Sequence, residues 1–273
     1  MNYKVYSHGF EISDLQKIEL LQDEAVGVFE SMRAYHGTVL HEAEHLRRLY
    51  ESAKTVGYRP LPDLGKLHGE LTAALRASGE KDTSIRLTLC RRRTFVILGA
   101  RQRPCSFYRT GVVLKTAPFP RGGPHAFPFQ AKSAAYQQAV LASTGSRSGA
   151  AFDWLFLDRG NSLTETRVGN FFLVNYLDPK SLSASSIVLS TPPEHLILNG
   201  VTRRFVIKCA RKLGFRVQEV PITRHDFFNA AEAFLCNTSW EVLAVRELDG
   251  RTIGTGTPGP VTLKLHRLFK RRV

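Results

Sequence analysis

Gln130-Ala131-Lys132-Ser133-Ala134-Ala135-Tyr136 and, further on, Leu163-Thr164-Glu165-Thr166-Arg167-Val168-Gly169-Asn170-Phe171-Phe172 are the stretches from which the rest of the chain can be read. The first sets Lys132 just ahead of a helix of small residues, with Tyr136 one turn on. An apolar loop, Ala126-Phe127-Pro128-Phe129, precedes it. A lysine held against an apolar wall has its ammonium form disfavoured, which frees a neutral amine for attack on an aldehyde. The second sets one acid, Glu165, before the apolar run that Asn170-Phe171-Phe172 opens. Alone, Glu165 reads as a solvent-facing strand carboxylate; beside that run it is expected to be drawn inward.

Working outward, Val28 to Tyr35 reads as a strand, His36-Gly37-Thr38 as a turn and Val39-Leu40 as the start of a return strand. Leu46, Leu49, Tyr50 and Ala53 make the stripe of a helix over about 43–56. Pro60 and Pro62 break the chain, and Leu64, Leu67, Leu71 and Leu75 mark a second helix. Ile85, Leu87 and Leu89 alternate as in a strand, and Phe95 to Leu98 and Val112 to Leu114 are expected to continue that sheet. Three prolines and two glycines in Pro118-Phe119-Pro120-Arg121-Gly122-Gly123-Pro124 mark a loop. Beyond it, strands are expected at 154–157, 171–174 and 187–189, with Arg159-Gly160-Asn161 as a turn. A helix over 202–213 stops at Gly214. Strand candidates at 215–220 and 233–235 follow, then a last helix after Pro258-Gly259-Pro260. The expectation is a two-domain α/β (α+β) chain: a small N-terminal domain at 1–117, an interdomain loop at 118–128 and a larger C-terminal domain at 129–273.

The 273 residues can bury a substantial core, and 43% hydrophobic residues argue against a disordered chain. No apolar run approaches the ~20 residues of a membrane span. Lys4, His8, Glu11 and Asp14 interrupt any secretory apolar segment, so a cytoplasmic location is expected. The four cysteines are scattered with no C-x-x-C pair, which argues against a zinc ribbon or thioredoxin-like motif. A net charge of +14 suits anionic substrates and cofactors. Arg91-Arg92-Arg93 and Lys270-Arg271-Arg272 lack interleaved aromatics, which argues against a nucleic-acid partner. His41-Glu42-Ala43-Glu44-His45 matches H-E-x-x-H, but His41 directly follows Val39-Leu40 and is expected to precede the helix. No metal site is therefore assigned.

Three further segments suit anions. Leu198-Asn199-Gly200-Val201-Thr202-Arg203 places a glycine and a threonine at a helix start, where free N–H groups favour a phosphate. The same residues would also make an ordinary capped helix, with Thr202 or Asn199 as the cap. Cys236-Asn237-Thr238-Ser239 ends a strand with hydroxyl residues that could bind an anion or simply turn the chain. Arg48, in His45-Leu46-Arg47-Arg48-Leu49, flanks the apolar stripe of its helix. An amine able to form an imine, with an acid able to keep a pyridine nitrogen protonated, is what pyridoxal phosphate chemistry requires.

Together these residues resemble the class IV (fold type IV) pyridoxal-phosphate enzymes: branched-chain aminotransferases, D-amino-acid aminotransferases and aminodeoxychorismate lyases. The likeness runs from about Gly27 to Phe269. Its anchors are Gly27 to Tyr35, His45-x-x-Arg48-Leu49, Lys132-x-x-x-Tyr136, Thr164-Glu165 through Asn170-Phe171, Asn199 to Arg203, and Thr238 before Glu241-Val242. The resemblance implies a small α/β domain, a larger domain with a barrel-like strand core, and an active site between domains at a homodimer interface. It implies that Lys132 forms an aldimine with pyridoxal 5'-phosphate and shuttles a proton, that Glu165 pairs with the ring nitrogen, and that Tyr136 bonds the phenolic oxygen. Arg48, Val201, Thr202 and Thr238 would hold the phosphate, and Arg33, Arg86 and Ser239 would meet the substrate. The implied reaction is ping-pong transfer of an amino group from an amino acid to a 2-oxo acid, with a lyase as the alternative. The chain departs from the pattern at Leu20 to Val26, at Gly169, at Ser84, and at Trp240, where a small residue is common.

Overall fold

The structure, a computed structural model, describes residues 3–13, 27–90, 93–99, 104–121, 129–144, 151–178 and 183–271. The Leu20–Val26 segment, Arg91-Arg92, residues 122–128 of the expected interdomain loop, and Arg272 lie outside those residues. The chain divides into two compact units, Met1–Gln102 with Pro128–Ala139, and Arg103–Phe127 with Val140–Arg272.

The first unit holds a six-stranded sheet made of β1 (Lys4–Ser7), β2 (Phe10–Glu11), β3 (Val28–Tyr35), β4 (Thr38–Val39), β5 (Thr83–Leu89) and β6 (Thr94–Gly99), in the order β2-β1-β6-β5-β3-β4. All its pairings are antiparallel. Between β4 and β5 run α1 (Glu42–Thr55) and α2 (Leu64–Ser78). The period of two along each strand sorts the faces. Val28, Met32 and Ala34 of β3, with Ile85 and Leu87 of β5, pack under Leu46 and Leu49 of α1 and Leu67 and Leu71 of α2. The opposite face receives Phe29, Ser31 and Arg33, paired with Thr88, Arg86 and Ser84. Asp63 caps α2 by accepting from Lys66 N at 2.9 Å.

The second unit contains α3 (Cys105–Thr110), β7 (Val112–Thr116), the end of α4 (Ala134–Thr144), β8 (Asp153–Leu157), β9 (Leu163–Thr166), β10 (Asn170–Tyr176), β11 (Ile187–Thr191), α5 (Val201–Lys212), β12 (Arg216–Glu219), α6 (Arg224–Phe228), β13 (Glu232–Asn237), β14 (Glu241–Leu248), β15 (Arg251–Thr252) and α7 (Pro260–Lys270). Its strands follow the path β12-β11-β10-β13-β14-β7-β8-β9, with β15 beside β14. β9 ends that path, and β10 stands five strand spacings back along it. In a flat sheet that is roughly 24 Å. Only residues 167–169 join the two strands, a reach of about 14 Å from Thr166 to Asn170. The sheet therefore curls into a half-barrel. Phe171 and Leu173 enter a core with Leu114, Leu155, Leu235 and Leu243. Phe172 and Val174 point the other way, against Val206 and Ala210 of α5 and Val261 and Leu265 of α7.

Val112 to Leu114 was expected to continue the N-terminal sheet. Instead β7 runs parallel between β14 and β8, because alternation marks a strand without naming its partner. The second unit accordingly begins at Arg103 rather than at residue 129, and the Lys132 segment belongs to the first unit rather than to the C-terminal domain. The short helix α3 was not anticipated. Among the described residues no helix is long and apolar enough to cross a membrane.

The start of α7 is held by a buried carboxylate. Val261 N donates to Glu232 Oε1 at 3.0 Å, and Thr262 N and Oγ1 donate to Oε2 at 2.8 and 2.7 Å. Tyr176 OH adds a bond to Oε1 at 2.9 Å. Burial first, then the Glu232 charge, pushes the Tyr176 phenol up from its usual value. A Cβ on Gly259 would come within 2.1 Å of the Glu232 carboxyl carbon, so this approach requires glycine. Glu232→Ala strands these donors and is expected to cost about 3 kcal/mol in urea unfolding; a loss below about 1 kcal/mol would show that the carboxylate is dispensable.

Candidate active site

Glu30 lies on the helix-facing side of β3 and is fully buried. Arg48 grips it as a fork, Nε to Oε1 and Nη2 to Oε2, each at 2.7 Å. His45 Nδ1 lies 2.7 Å from Oε2. Burial pushes the Glu30 carboxyl up, but the Arg48 charge and hydrogen bonds, with a contribution from His45, outweigh it and hold the group at about 2. Burial, reinforced by the Arg48 and Lys132 charges, lowers His45 against the pull of Glu30. A neutral His45 beside an ionised, acceptor-only Glu30 must carry its proton on Nδ1. Arg48 is thus fixed by β3 from beneath, and is no surface arginine: 8% of it is exposed.

Lys132 is fastened to the end of β3 by its main chain. Phe29 N donates to Lys132 O at 2.9 Å, Ser133 bridges to Val28, and Ala134 N donates to Gly27 O at 2.8 Å. From α1, Ser52 Oγ accepts from Lys132 N at 3.0 Å. The half-buried Lys132 side chain places Nζ 4.7 Å from the centre of the Phe29 ring. The Arg86 guanidinium covers that same ring at 3.5 Å and donates to Gln137 Oε1 at 3.1 Å. Arg33 shares the face, 3.5 Å from Ser84 Oγ. Tyr136 is half-buried in the first turn of α4, where its N–H donates to Ser133 Oγ at 3.2 Å. The first unit therefore gathers Arg86 and Arg33 on one face of its sheet, with Lys132 Nζ over the Phe29 ring of that face, while Arg48 and Ser52, one turn apart on α1, reach Glu30 and the Lys132 N–H.

In the second unit Glu165 is drawn inward, as expected, and is 5% exposed. Arg121 pairs with its Oε1, Leu198 N donates to Oε1 at 2.9 Å, and Asn170 Nδ2 donates to Oε2 at 2.7 Å. Asn170 also bonds Leu198 O at 3.0 Å, and a Cβ on Gly200 would come within 2.1 Å of Asn170 Oδ1. α5 starts at Val201 with Gly200 as N-cap and no side-chain cap. Neither expected cap is used: Asn199 donates its amide to Glu194 Oε1 at 2.7 Å. Thr202 is buried in the first turn, and an uncapped first turn offers its N–H groups to an anion. Arg203, fully buried, ties α5 to Pro192 O and Glu219 Oε2, both at 2.8 Å. Thr238 and Ser239 occupy the turn between β13 and β14. The Trp240 ring packs against Phe152 at 5.0 Å and Phe107 at 5.9 Å. His41 lies outside α1 as its N-cap, so the H-E-x-x-H residues do not share a helix face.

The curled sheet, the strand-locked lysine and the clamped acid define a fold type IV enzyme. The sequence profile of the family "Amino-transferase class IV" matches residues 27–248. The chain is 30% identical to a branched-chain-amino-acid aminotransferase of Pseudomonas aeruginosa, covering 89% of this chain and 83% of that one. It is 27% identical to a D-alanine aminotransferase of Bacillus licheniformis, over 90% and 87% of the two chains. The solved branched-chain aminotransferase of Thermoproteus uzoniensis superposes with a TM-score of 0.79 at 26% identity, over 98% and 93% of the two chains. The chain belongs to the class IV aminotransferases and is a pyridoxal-phosphate-dependent transaminase.

The residues fit that cofactor. A carboxylate has about four acceptor positions; three donors reach Glu165, two of them on Oε1, which leaves capacity on Oε2 for a protonated ring nitrogen. The uncapped start of α5 suits its phosphate. Sequence reading assigned no role to Glu30, Phe29, Arg121 or Asn170. An acid in the apolar register Val28, Glu30, Met32 signals a buried, paired carboxylate. No comparable signal exists for Arg121, whose partner is remote in the chain.

Both Glu30 and His45 bind protons more weakly folded than unfolded, so both add stability at neutral pH that acid removes. The His45 part fades as pH falls below its ordinary 6.5. The Glu30 part is complete above its ordinary 4.5 and is lost down to about 2, as the pH passes through the folded value. That difference is worth roughly 3 kcal/mol. In urea titrations, Glu30→Gln should be less stable at neutral pH and should lose most of the decline between pH 4.5 and 2. A variant declining as steeply as wild type would contradict the assignment.

Proposed function

We propose that the protein moves amino groups between α-amino acids and 2-oxo acids in a ping-pong cycle, with Lys132 as the attachment point and proton carrier. Pyridoxal phosphate supplies, when bound, an aldehyde that condenses with amines and a ring that takes up the electron pair released at the substrate Cα. Lys132 Nζ would take up and return the proton at that Cα. Glu165 Oε2 keeps the ring nitrogen protonated. Tyr136 bonds the phenolic oxygen. Arg48, the N–H groups of Val201 and Thr202, and Thr238 hold the phosphate. Arg33, Arg86 and Ser239 receive the substrate, the arginines as carboxylate forks. The observation that carries this reading is Lys132 itself: main-chain bonds lock it to β3, and its amine lies over the Phe29 ring that the Arg86 guanidinium also covers. The chain is proposed to work as a cytoplasmic homodimer. All four cysteines are free, as suits a reducing compartment. Phe10, 78% exposed on edge strand β2, is apolar surface that a second copy could cover.

Purified protein is expected to be yellow and to convert to the amine form of the cofactor when mixed with its donor amino acid. Screening L- and D-amino acids in this half-reaction fixes the enantiomer and side chain. Lys132→Ala should abolish both the colour shift and turnover; retained turnover would refute the assignment. Glu165→Gln should slow kcat by about 10²-fold or more while cofactor affinity changes far less, because the phosphate grip is intact. Affinity falling as steeply as rate would count against Glu165 as the ring partner.

A further inference from the structure

Thr238 and Ser239 sit in a turn whose flanking residues are braced from two helices. Glu241, which follows Trp240, is fully buried at φ 59. A non-glycine residue in the left-handed region is strained and persists only where its surroundings hold it. Here α7 supplies the hold: His266 Nε2 lies 3.1 Å from Glu241 Oε2, and Lys270 Nζ donates to Oε1 at 3.2 Å. The His266 ring stacks on Tyr108 of α3, centroids 4.8 Å apart and planes within 5°. The Tyr108 hydroxyl donates to Trp240 O at 3.1 Å. From the other side of the turn, Asn237 Oδ1 accepts from Trp240 N at 2.6 Å. The indole is wedged against Phe107 and Phe152. The brace is continuous: α7 to Glu241, α7 to Tyr108, Tyr108 to Trp240.

We infer that Tyr108 and His266 are positioning residues that act through Trp240 and Glu241 to hold Thr238 in the one geometry that binds the cofactor's phosphate. This rests on the reading of Thr238 as a phosphate ligand. A turn held before binding loses little freedom when the phosphate arrives; an unbraced turn must be ordered at that moment, which weakens retention. Trp240 then has a physical role: its ring anchors the turn to α3 through Phe107.

The test is a double-mutant cycle read as pyridoxal phosphate dissociation from the holoenzyme, with urea stability measured alongside. Thr238→Ala should weaken retention about tenfold or more, the loss of one hydrogen bond to a charged group. His266→Ala and Tyr108→Phe should each weaken it by about three- to tenfold. His266→Gln, which keeps an N–H for Glu241, should recover most of the loss. In the Thr238→Ala background, His266→Ala should add less than about twofold, because its effect passes through Thr238. Additive effects, or a His266→Ala variant that is less stable yet retains cofactor normally, would overturn the inference and leave the phosphate reading standing. Normal retention in Thr238→Ala would overturn both.

Discussion

Three residues join β9 to β10, and the path of the sheet places those strands five spacings apart. A connection that short cannot span a flat sheet, so the second unit has to curl. The curl is what makes Glu165 a buried group. It sits on β9, receives hydrogen bonds from Asn170 at the head of β10 and from Leu198 N, and pairs with Arg121. The same alternation along β10 sends Phe171 and Leu173 to one core and Phe172 and Val174 to the other. The outer core seats α5, so the start of that helix is set by the barrel wall rather than by a cap of its own.

The first unit solves a different problem, that of a charge inside an apolar layer. Glu30 has no access to water, and an isolated carboxylate there would be protonated or would destabilise the fold. Arg48 and His45 of α1 meet it with charge and hydrogen bonds. The pairing fixes α1 against β3, and Ser52 of the same helix then receives the Lys132 N–H. The lysine is held by main-chain bonds on one side and a helix hydroxyl on the other. Its amine and the Arg86 guanidinium meet on the Phe29 ring, on the sheet face away from the helices.

Both units fasten the backbone around Lys132 and Glu165 with hydrogen bonds, which limits the freedom those segments would lose on binding. Glycines appear where a close approach demands them: Gly200 against Asn170 and Gly259 against Glu232. The turn at 237–241 instead uses Glu241 at positive φ and a large Trp240, and it is braced by His266, Lys270 and Tyr108.

Much was legible in the chain before any fold was known. The periodic stripes of α1, α2 and α5 and the alternation in β3, β5 and β6 locate those elements, because burial of one face imposes a period that needs no knowledge of the partner. Lys132, Glu165, Val201 and Thr202 were singled out by type and order, and the order of six anchors named the family. Only the tertiary structure decided which sheet β7 joins, which unit holds Lys132, and that Glu30 and Arg121 are paired groups. The reason is the same in each case: a period reports that a side is buried, whereas a strand's neighbour or a charge's partner is set by residues far away in sequence, and only the closed fold brings them within reach.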